Sequence, residues 1–197
     1  MSYIALEGIE GAGKSTIASE LEARLSRQGT EVLRVREPGG TSFGEAIRNL
    51  LLETEGHMEG WTEAMLFSAA RSQLAAEVIG PALDEGKTVI SDRSVYSSLA
   101  YQGGGRGLGV DEVRRVNAAG LGDVWPARVL LLRLEARQGL ERQQNPDRIG
   151  AEGVEFMQRV VEAYDKLAAE EPERFVVIDA SESFDSVLVD VLAAVGL

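Results

Sequence analysis

Apolar residues in this chain follow two alternating patterns, short unbroken runs and longer stretches in which they recur every three or four positions. The runs at 3–6, 32–35, 87–92, 128–134 and 175–179 predict strands. The run at 128–134 is apolar enough to be buried on both faces of a sheet. Between strands, Ile17, Ala18, Leu21 and Leu25 give 14–28 a helical period that stops at Gly29. Ser42 and Glu45 have the spacing of a capping box, which predicts a helix from there through Leu52, and 53–60 reads as a polar loop. One long helix is predicted over 62–83, with Pro81 tolerable only near its end. Beyond the third strand, Arg93, Ser97 and Tyr101 would share a helical face with Ser98 and Gln102 beside them, until Gly103-Gly104-Gly105-Arg106-Gly107 breaks that helix outright. Further helices are expected over 110–121, 135–142, 151–171 and 184–195, with a mobile turn at 143–148.

Strands that alternate with helices pair in parallel. The fold class expected is therefore α/β, a three-layer sandwich of the P-loop NTPase type on a five-stranded parallel sheet, with its site at the carboxyl ends of the strands. A length of 197 residues fits one domain over the whole chain, and no repeat or linker interrupts it.

Charge narrows the function classes. A formal net charge of -12 opposes a general nucleic-acid surface, which needs a basic excess. An anionic substrate would have to be held by local cations, and with lysine confined to Lys14, Lys87 and Lys166 that work falls to arginine. The absence of cysteine removes thiol nucleophiles and Cys-type zinc sites. His57, the only histidine, lies in a polar stretch that reads as surface loop. No apolar run approaches membrane-spanning length and the chain opens on a strand, so a cytoplasmic location without membrane attachment is expected.

Chemistry enters immediately after the first strand. Gly8-Ile9-Glu10-Gly11-Ala12-Gly13-Lys14-Ser15 reads G-x-x-x-x-G-K-[ST], between a strand and a helix. Its glycines turn backbone N–H groups around an anion, Lys14 reaches the outer phosphates, and Ser15 is placed to ligate Mg²⁺. Asp92 ends the third strand, as the metal-side aspartate does in P-loop enzymes. Three loops leaving strands two to four carry Arg36, Arg48, Arg93, Arg106, Arg137, Arg142 and Arg148, and such convergence favours transfer between two anions over simple binding. Each arginine taken singly could equally be a solvated surface residue, and Phe67 could be plain helix core.

The residues also resemble the bacterial thymidylate kinase family along nearly the whole chain. The resemblance rests on Glu7-Gly8-Ile9-Glu10-Gly11-Ala12-Gly13-Lys14-Ser15-Thr16, the loop Arg36-Glu37-Pro38-Gly39-Gly40-Thr41, Phe67 with Arg71, and Asp92-Arg93 running on to Ser97-Ser98-Leu99-Ala100-Tyr101-Gln102-Gly103. Asp147-Arg148-Ile149, Phe156 and Tyr164 also match. It implies a nucleoside-monophosphate-kinase domain, a homodimer, and transfer of the ATP γ-phosphate to dTMP. ATP would occupy Gly8, Glu10, Gly11, Ala12, Gly13, Lys14, Ser15 and Thr16, with Mg²⁺ on Ser15 and Asp92. In the acceptor site Phe67 would stack on thymine, Arg71 would bond its O4, and Ser98 and Gln102 would read the remaining edge. Arg48 and Arg93 would hold the acceptor phosphate, Ser97 and Pro38 would line the pocket, and Tyr101 would crowd the sugar 2′ position. Glu37 and Glu10 would face the sugar or metal-bound water. Because the P-loop itself carries no arginine, the resemblance points to a lid over about 137–150 as the source of the catalytic cation, Arg142 or Arg148 beside Lys14 and Arg93. Ser94, Ala127 and Gly150 depart from the family pattern. Two other readings stay open: a kinase for a different nucleoside monophosphate, and a switch-type P-loop ATPase.

Overall fold

The computed structural model describes residues 3–54, 56–143 and 145–197; Glu55 in the expected polar loop and Gln144 in the expected lid turn lie outside them. Strands β1 (Tyr3–Glu7), β2 (Val32–Arg36), β3 (Thr88–Asp92), β4 (Arg128–Arg133) and β5 (Phe175–Asp179) form one parallel sheet in the order β2-β3-β1-β4-β5. The central position of β1 explains its composition, for every residue of it is buried. Register sets the level of the loops: Leu6 and Arg36 both pair with Asp92, so the P-loop, the loop after β2 and the loop after β3 leave the sheet side by side.

Helices α1 (Lys14–Arg27), α2 (Ser42–Leu52) and α3 (Gly60–Leu74) follow the expected pattern, with one shifted cap. The cap of α2 is Thr41, not Ser42: its hydroxyl accepts from the Gly44 N–H at 2.9 Å, and Glu45 reaches back to the Gly40 N–H. The single helix expected at 62–83 is a path over 60–84 in which α3 passes into a π turn at Ala75–Ile79 and then α4 (Gly80–Asp84). Pro81 has no N–H and its ring crowds the carbonyl one turn back, and the wider turn just before it absorbs that misfit.

The break expected over 103–107 falls late in that stretch, for the helix runs through Gly105 and Gly107 takes a positive φ. After α5 (Val95–Ser98) the helix continues as a π turn, Leu99–Gly105, with the Arg106 N–H bonded to the Tyr101 carbonyl. The glycines serve packing instead: a Cβ on Gly104 would lie 2.4 Å from Ala163 Cβ, and one on Gly105 2.8 Å from the Phe156 ring. They let this segment lie directly on α8 (Val154–Glu170). The helix expected at 151–171 is a short 3₁₀ turn, Gly150–Glu152, then Gly153 at positive φ, then α8. Helices α6 (Val110–Leu121), α7 (Ala136–Arg142) and α9 (Phe184–Val195) complete the layers. The main core gathers Leu6, Ile17, Tyr96, Leu130 and Tyr164 between sheet and helices. Among the described residues no helix is long and apolar enough to cross a membrane.

Candidate active site

At the carboxyl ends of β1, β2 and β3 a cleft of about 390 Å³ opens. Its floor is the P-loop. Gly11 holds φ 80°, and a side chain there would strike the Gly139 carbonyl of α7 at 2.6 Å, so only glycine fits between cradle and α7. Glu10, Gly11, Gly13, Lys14, Ser15 and Thr16 line the cleft at the start of α1, where the first-turn N–H groups have no intrahelical acceptor. Gly8 and Ala12 do not line the cleft.

Lys14 is buried and donates to the Ile9 carbonyl at 2.8 Å. Burial first, and then the Arg93 guanidinium beside it, lower its pKa to about 8. Ser15 Oγ donates to Asp92 Oδ2 at 2.5 Å, which brings hydroxyl and carboxylate oxygens together beneath the cradle.

Three guanidinium groups share the cleft with the cradle. Arg36, Arg48 and Arg93 all line the cleft. Arg93, the single non-glycine residue at positive φ among the described residues, directs its side chain to Glu10 (2.6 Å), the Gly8 carbonyl and Ser97 Oγ (each 3.2 Å). Glu10 also accepts from Tyr101 at 2.7 Å, so burial, which would raise its pKa, is outweighed by Arg93, Lys14 and the Tyr101 hydroxyl, and the carboxyl stays below its usual range. Arg48 is tied to the Pro38 carbonyl at 2.8 Å and Arg36 to Glu45 at 3.3 Å.

The far end is the expected acceptor pocket. Glu37, Pro38, Phe67, Ser97, Ser98, Tyr101 and Gln102 line it, and Phe67 both faces the cleft and packs on the core. Arg71 lies one layer deeper and does not line it. Buried, it donates to Glu37 (2.6 Å), Ser98 Oγ (3.0 Å), Asn117 Oδ1 (2.5 Å) and the Ser94 carbonyl (3.1 Å). Glu37 Oε1 is buried with no partner, and burial outweighs Arg71 to raise that carboxyl's pKa.

The two arginines expected in a lid are placed differently from one another. Arg142 lies against the P-loop and donates to the Ala180 carbonyl at 2.9 Å and the Gly11 carbonyl at 3.5 Å. Arg148 points to the acceptor end, onto Glu63 at 2.8 Å and the Leu51 carbonyl at 2.8 Å. Its neighbours Asp147 and Ile149 line the cleft while Arg148 itself does not.

Three buried polar residues had no role in the sequence reading. Glu7 accepts from Ser94 Oγ (2.6 Å), Ser97 Oγ (2.6 Å) and Tyr164 (2.7 Å) beneath the P-loop. Asn117 interrupts the apolar face of α6 between Val113 and Leu121, and Glu63 precedes Phe67 and Arg71 at four-residue steps on the inward face of α3. A polar residue on an apolar helical face was the available signal for both. The departure at Ser94 has a structural use, since it caps α5 and donates to Glu7.

A P-loop at the central strand of a β2-β3-β1-β4-β5 parallel sheet, facing an arginine-lined pocket across one cleft, defines a P-loop phosphotransferase of the nucleotide kinase class. Residues 6–191 match the family model described as thymidylate kinase. Similar curated proteins include the thymidylate kinases of Shouchella clausii, 44% identical with 96% of this chain and 92% of that protein covered, and of Deinococcus radiodurans, 43% identical with 98% and 95% covered. Among solved structures, the thymidylate kinase from Ehrlichia chaffeensis aligns with a TM-score of 0.82 at 29% identity, covering all of this chain and 98% of that one. The chain belongs to the thymidylate kinase family, and is thus a transferase with the fold that the residue pattern led us to expect.

Proposed function

We propose that the protein transfers the γ-phosphate of ATP to dTMP by bringing the two nucleotides end to end in the single cleft. The observation that carries this reading is the convergence of Arg36, Arg48 and Arg93 with the P-loop on one 390 Å³ space. Two anions that would otherwise repel are thereby held within reach of each other.

ATP phosphates lie on the P-loop N–H groups and Lys14. The acceptor phosphate lies on Arg48 and Arg93, its base on Phe67, with Ser98 and Gln102 along the base edge. Arg71, whose Nη2 donates to the Ser94 carbonyl, stands behind this pocket, and a bond from it to the base carbonyl needs the base to reach past the lining residues. Tyr101, fixed by Glu10, fills the space where a ribose 2′-hydroxyl would go, and the unpartnered Glu37 Oε1 is an acceptor for a sugar hydroxyl or water. Since the attacking phosphate oxygen is already an anion, no general base is required. The residues fit Mg²⁺: Ser15 and Asp92 offer two hard oxygens in contact, and among the described residues no cluster of three acidic or histidine groups would cage a cation without phosphate. When bound, Mg²⁺ would neutralise charge on the phosphates. The lid spans about 137–150, and Arg142 is its cation nearest the cradle.

The reading includes a cytoplasmic location and a homodimer. Phe43 and Leu50 on one face of α2, and Trp61 and Met65 on one face of α3, are exposed apolar groups on adjacent helices, as an interface between copies requires. Sedimentation at micromolar concentration should give twice the monomer mass. The decisive experiment compares turnover with dTMP, dUMP, dCMP, dGMP and AMP. We expect dTMP to lead and dUMP to follow by a modest factor, since one methyl is worth about 1–3 kcal/mol. A preference for a purine would overturn the assignments of Phe67 and Arg71, and ATP loss without any acceptor would favour a switch ATPase.

A further inference from the structure

Glu63 is fully buried on α3, at the back of the acceptor pocket, and its carboxylate is saturated. One oxygen accepts from Gln102 Nε2 at 2.9 Å and Arg106 Nε at 3.2 Å; the other accepts from Arg106 Nη2 at 3.0 Å and Arg148 Nη2 at 2.8 Å. Four donors fill the roughly four acceptor positions of an ionised carboxylate. Glu63 therefore has no capacity left for a substrate, and it does not line the cleft. Burial would raise its pKa, but the hydrogen bonds from Arg106, Gln102 and Arg148 outweigh burial and hold it lowered, so it remains an acceptor only.

That restriction has a directional consequence for Gln102. An amide has a donor end and an acceptor end, and the two can be exchanged by rotating the group. A carboxylate that only accepts must take the donor end. Gln102 lines the cleft, its Nε2 is on Glu63, and its Oε1 accepts no hydrogen bond among the described residues. The oxygen is the end left for the ligand.

We propose that Glu63 is a positioning residue that sets acceptor-base selectivity, by locking the Gln102 amide so that it offers an acceptor to the base. This rests on the reading of the pocket as a pyrimidine monophosphate site. The ring N–H at position 3 of thymine or uracil is a donor and meets that oxygen well. The corresponding nitrogen of cytosine carries a lone pair and is repelled by it. Without the carboxylate the amide can rotate and donate to cytosine, so the penalty against cytosine at this contact disappears. Arg106 and Arg148 anchor the carboxylate, and Arg148 carries the link from the base pocket to the lid turn.

The test measures kcat/KM for dTMP and dCMP in the wild type, Glu63→Gln, Glu63→Asp, Gln102→Ala and Glu63→Gln/Gln102→Ala. Glu63→Gln should reduce the dTMP/dCMP ratio by about 10- to 100-fold, chiefly by raising activity on dCMP. Glu63→Asp keeps a charge for the two arginines while withdrawing the carboxylate from Gln102, and should show a smaller fall; it serves if Glu63→Gln does not fold. Gln102→Ala should itself lower the ratio, and adding Glu63→Gln should lower it no further. If Gln102→Ala lowers the ratio while neither Glu63 variant changes it, the positioning role is overturned and the pocket reading stands. Equal losses on both substrates in the Glu63 variants would reduce Glu63 to a structural support and overturn the role as well. If Gln102→Ala leaves the ratio unchanged, Gln102 does not read the base, and the reading of this edge of the pocket fails together with the proposal.

Discussion

At the donor end of the cleft Lys14 is buried with one backbone carbonyl for a partner, while at the acceptor end Arg71 makes four hydrogen bonds and Glu63 accepts four. The first arrangement leaves a charge unsatisfied until phosphate arrives; the second is complete beforehand and leaves little for the substrate to rearrange. An anion with flexible linkages can be captured by an incomplete cradle, whereas discriminating one flat base from another needs donors and acceptors that are already fixed. Substitutions at the two ends should therefore register in different measurements, stability at the acceptor end and turnover at the donor end.

The largest effect should come from Arg71→Ala. It strands Glu37, whose second oxygen already has no partner, and breaking a buried pair costs about 3–5 kcal/mol of stability. Denaturant unfolding checks this, and a loss below about 1 kcal/mol would show that the acceptor end is not preformed. Lys14→Ala should do the reverse. Turnover should fall by about 10²–10³-fold as transition-state charge stabilisation is lost, with the unfolding midpoint unchanged or raised, because a lysine held at a pKa of about 8 is disfavoured in the free protein. A Lys14→Ala protein that unfolds more easily would remove the contrast between the two ends.

The lid arginines sharpen the same comparison at a smaller scale. Arg142 belongs to the donor end by position, Arg148 to the acceptor end. Arg142→Ala should lower kcat by about 10²-fold with little change in the KM for dTMP, and Arg148→Ala should raise that KM by about tenfold with kcat nearly kept. Steady-state kinetics on both variants decide; a larger kcat loss from Arg148→Ala would mean that the Glu63 contact is released during turnover.

The same division governs what could be read without coordinates. The cradle is contiguous, 8–15, and its strand-before, helix-after context is local, so each role there can be read from spacing alone. The acceptor end is assembled over distance: Glu63 meets partners 39 and 85 residues away, and Glu7 reaches Tyr164 across 157 residues. No local pattern encodes such pairings. Resemblance supplied the pocket-lining residues but no role for Glu7 and no mention of Glu63 behind them. Helix boundaries failed for a related reason, since the glycines at 103–105 have low helical propensity in isolation and are kept helical by close packing on Ala163 and Phe156. Thr41 displaced Ser42 as the cap because one of two adjacent hydroxyls had to be chosen by backbone geometry.

The smallest expected effect is also the most diagnostic of the donor end, because it reads the unsatisfied charge directly. In the unfolded chain Lys14 has its ordinary pKa of 10.5, and in the free folded protein it falls to about 8. Below about pH 8 both states are protonated and the folded state bears the whole cost of burying the charge. Between the two values the folded protein releases the proton first, the unfolded state binds more protons, and that cost shrinks as pH rises. Lys14 alone therefore makes the free protein gain stability across this window. ATP binding should move the opposite way, since the triphosphate is attracted only by the charged amine: its affinity should be flat below pH 8 and weaken about tenfold for each unit above it. Calorimetric titration of a non-hydrolysed ATP analogue from about pH 7 to about pH 9.5, repeated with Lys14→Met, separates this group from others that titrate nearby. The variant should bind weakly with no inflection near pH 8, and an inflection retained without Lys14 would show that the charge awaiting phosphate lies elsewhere.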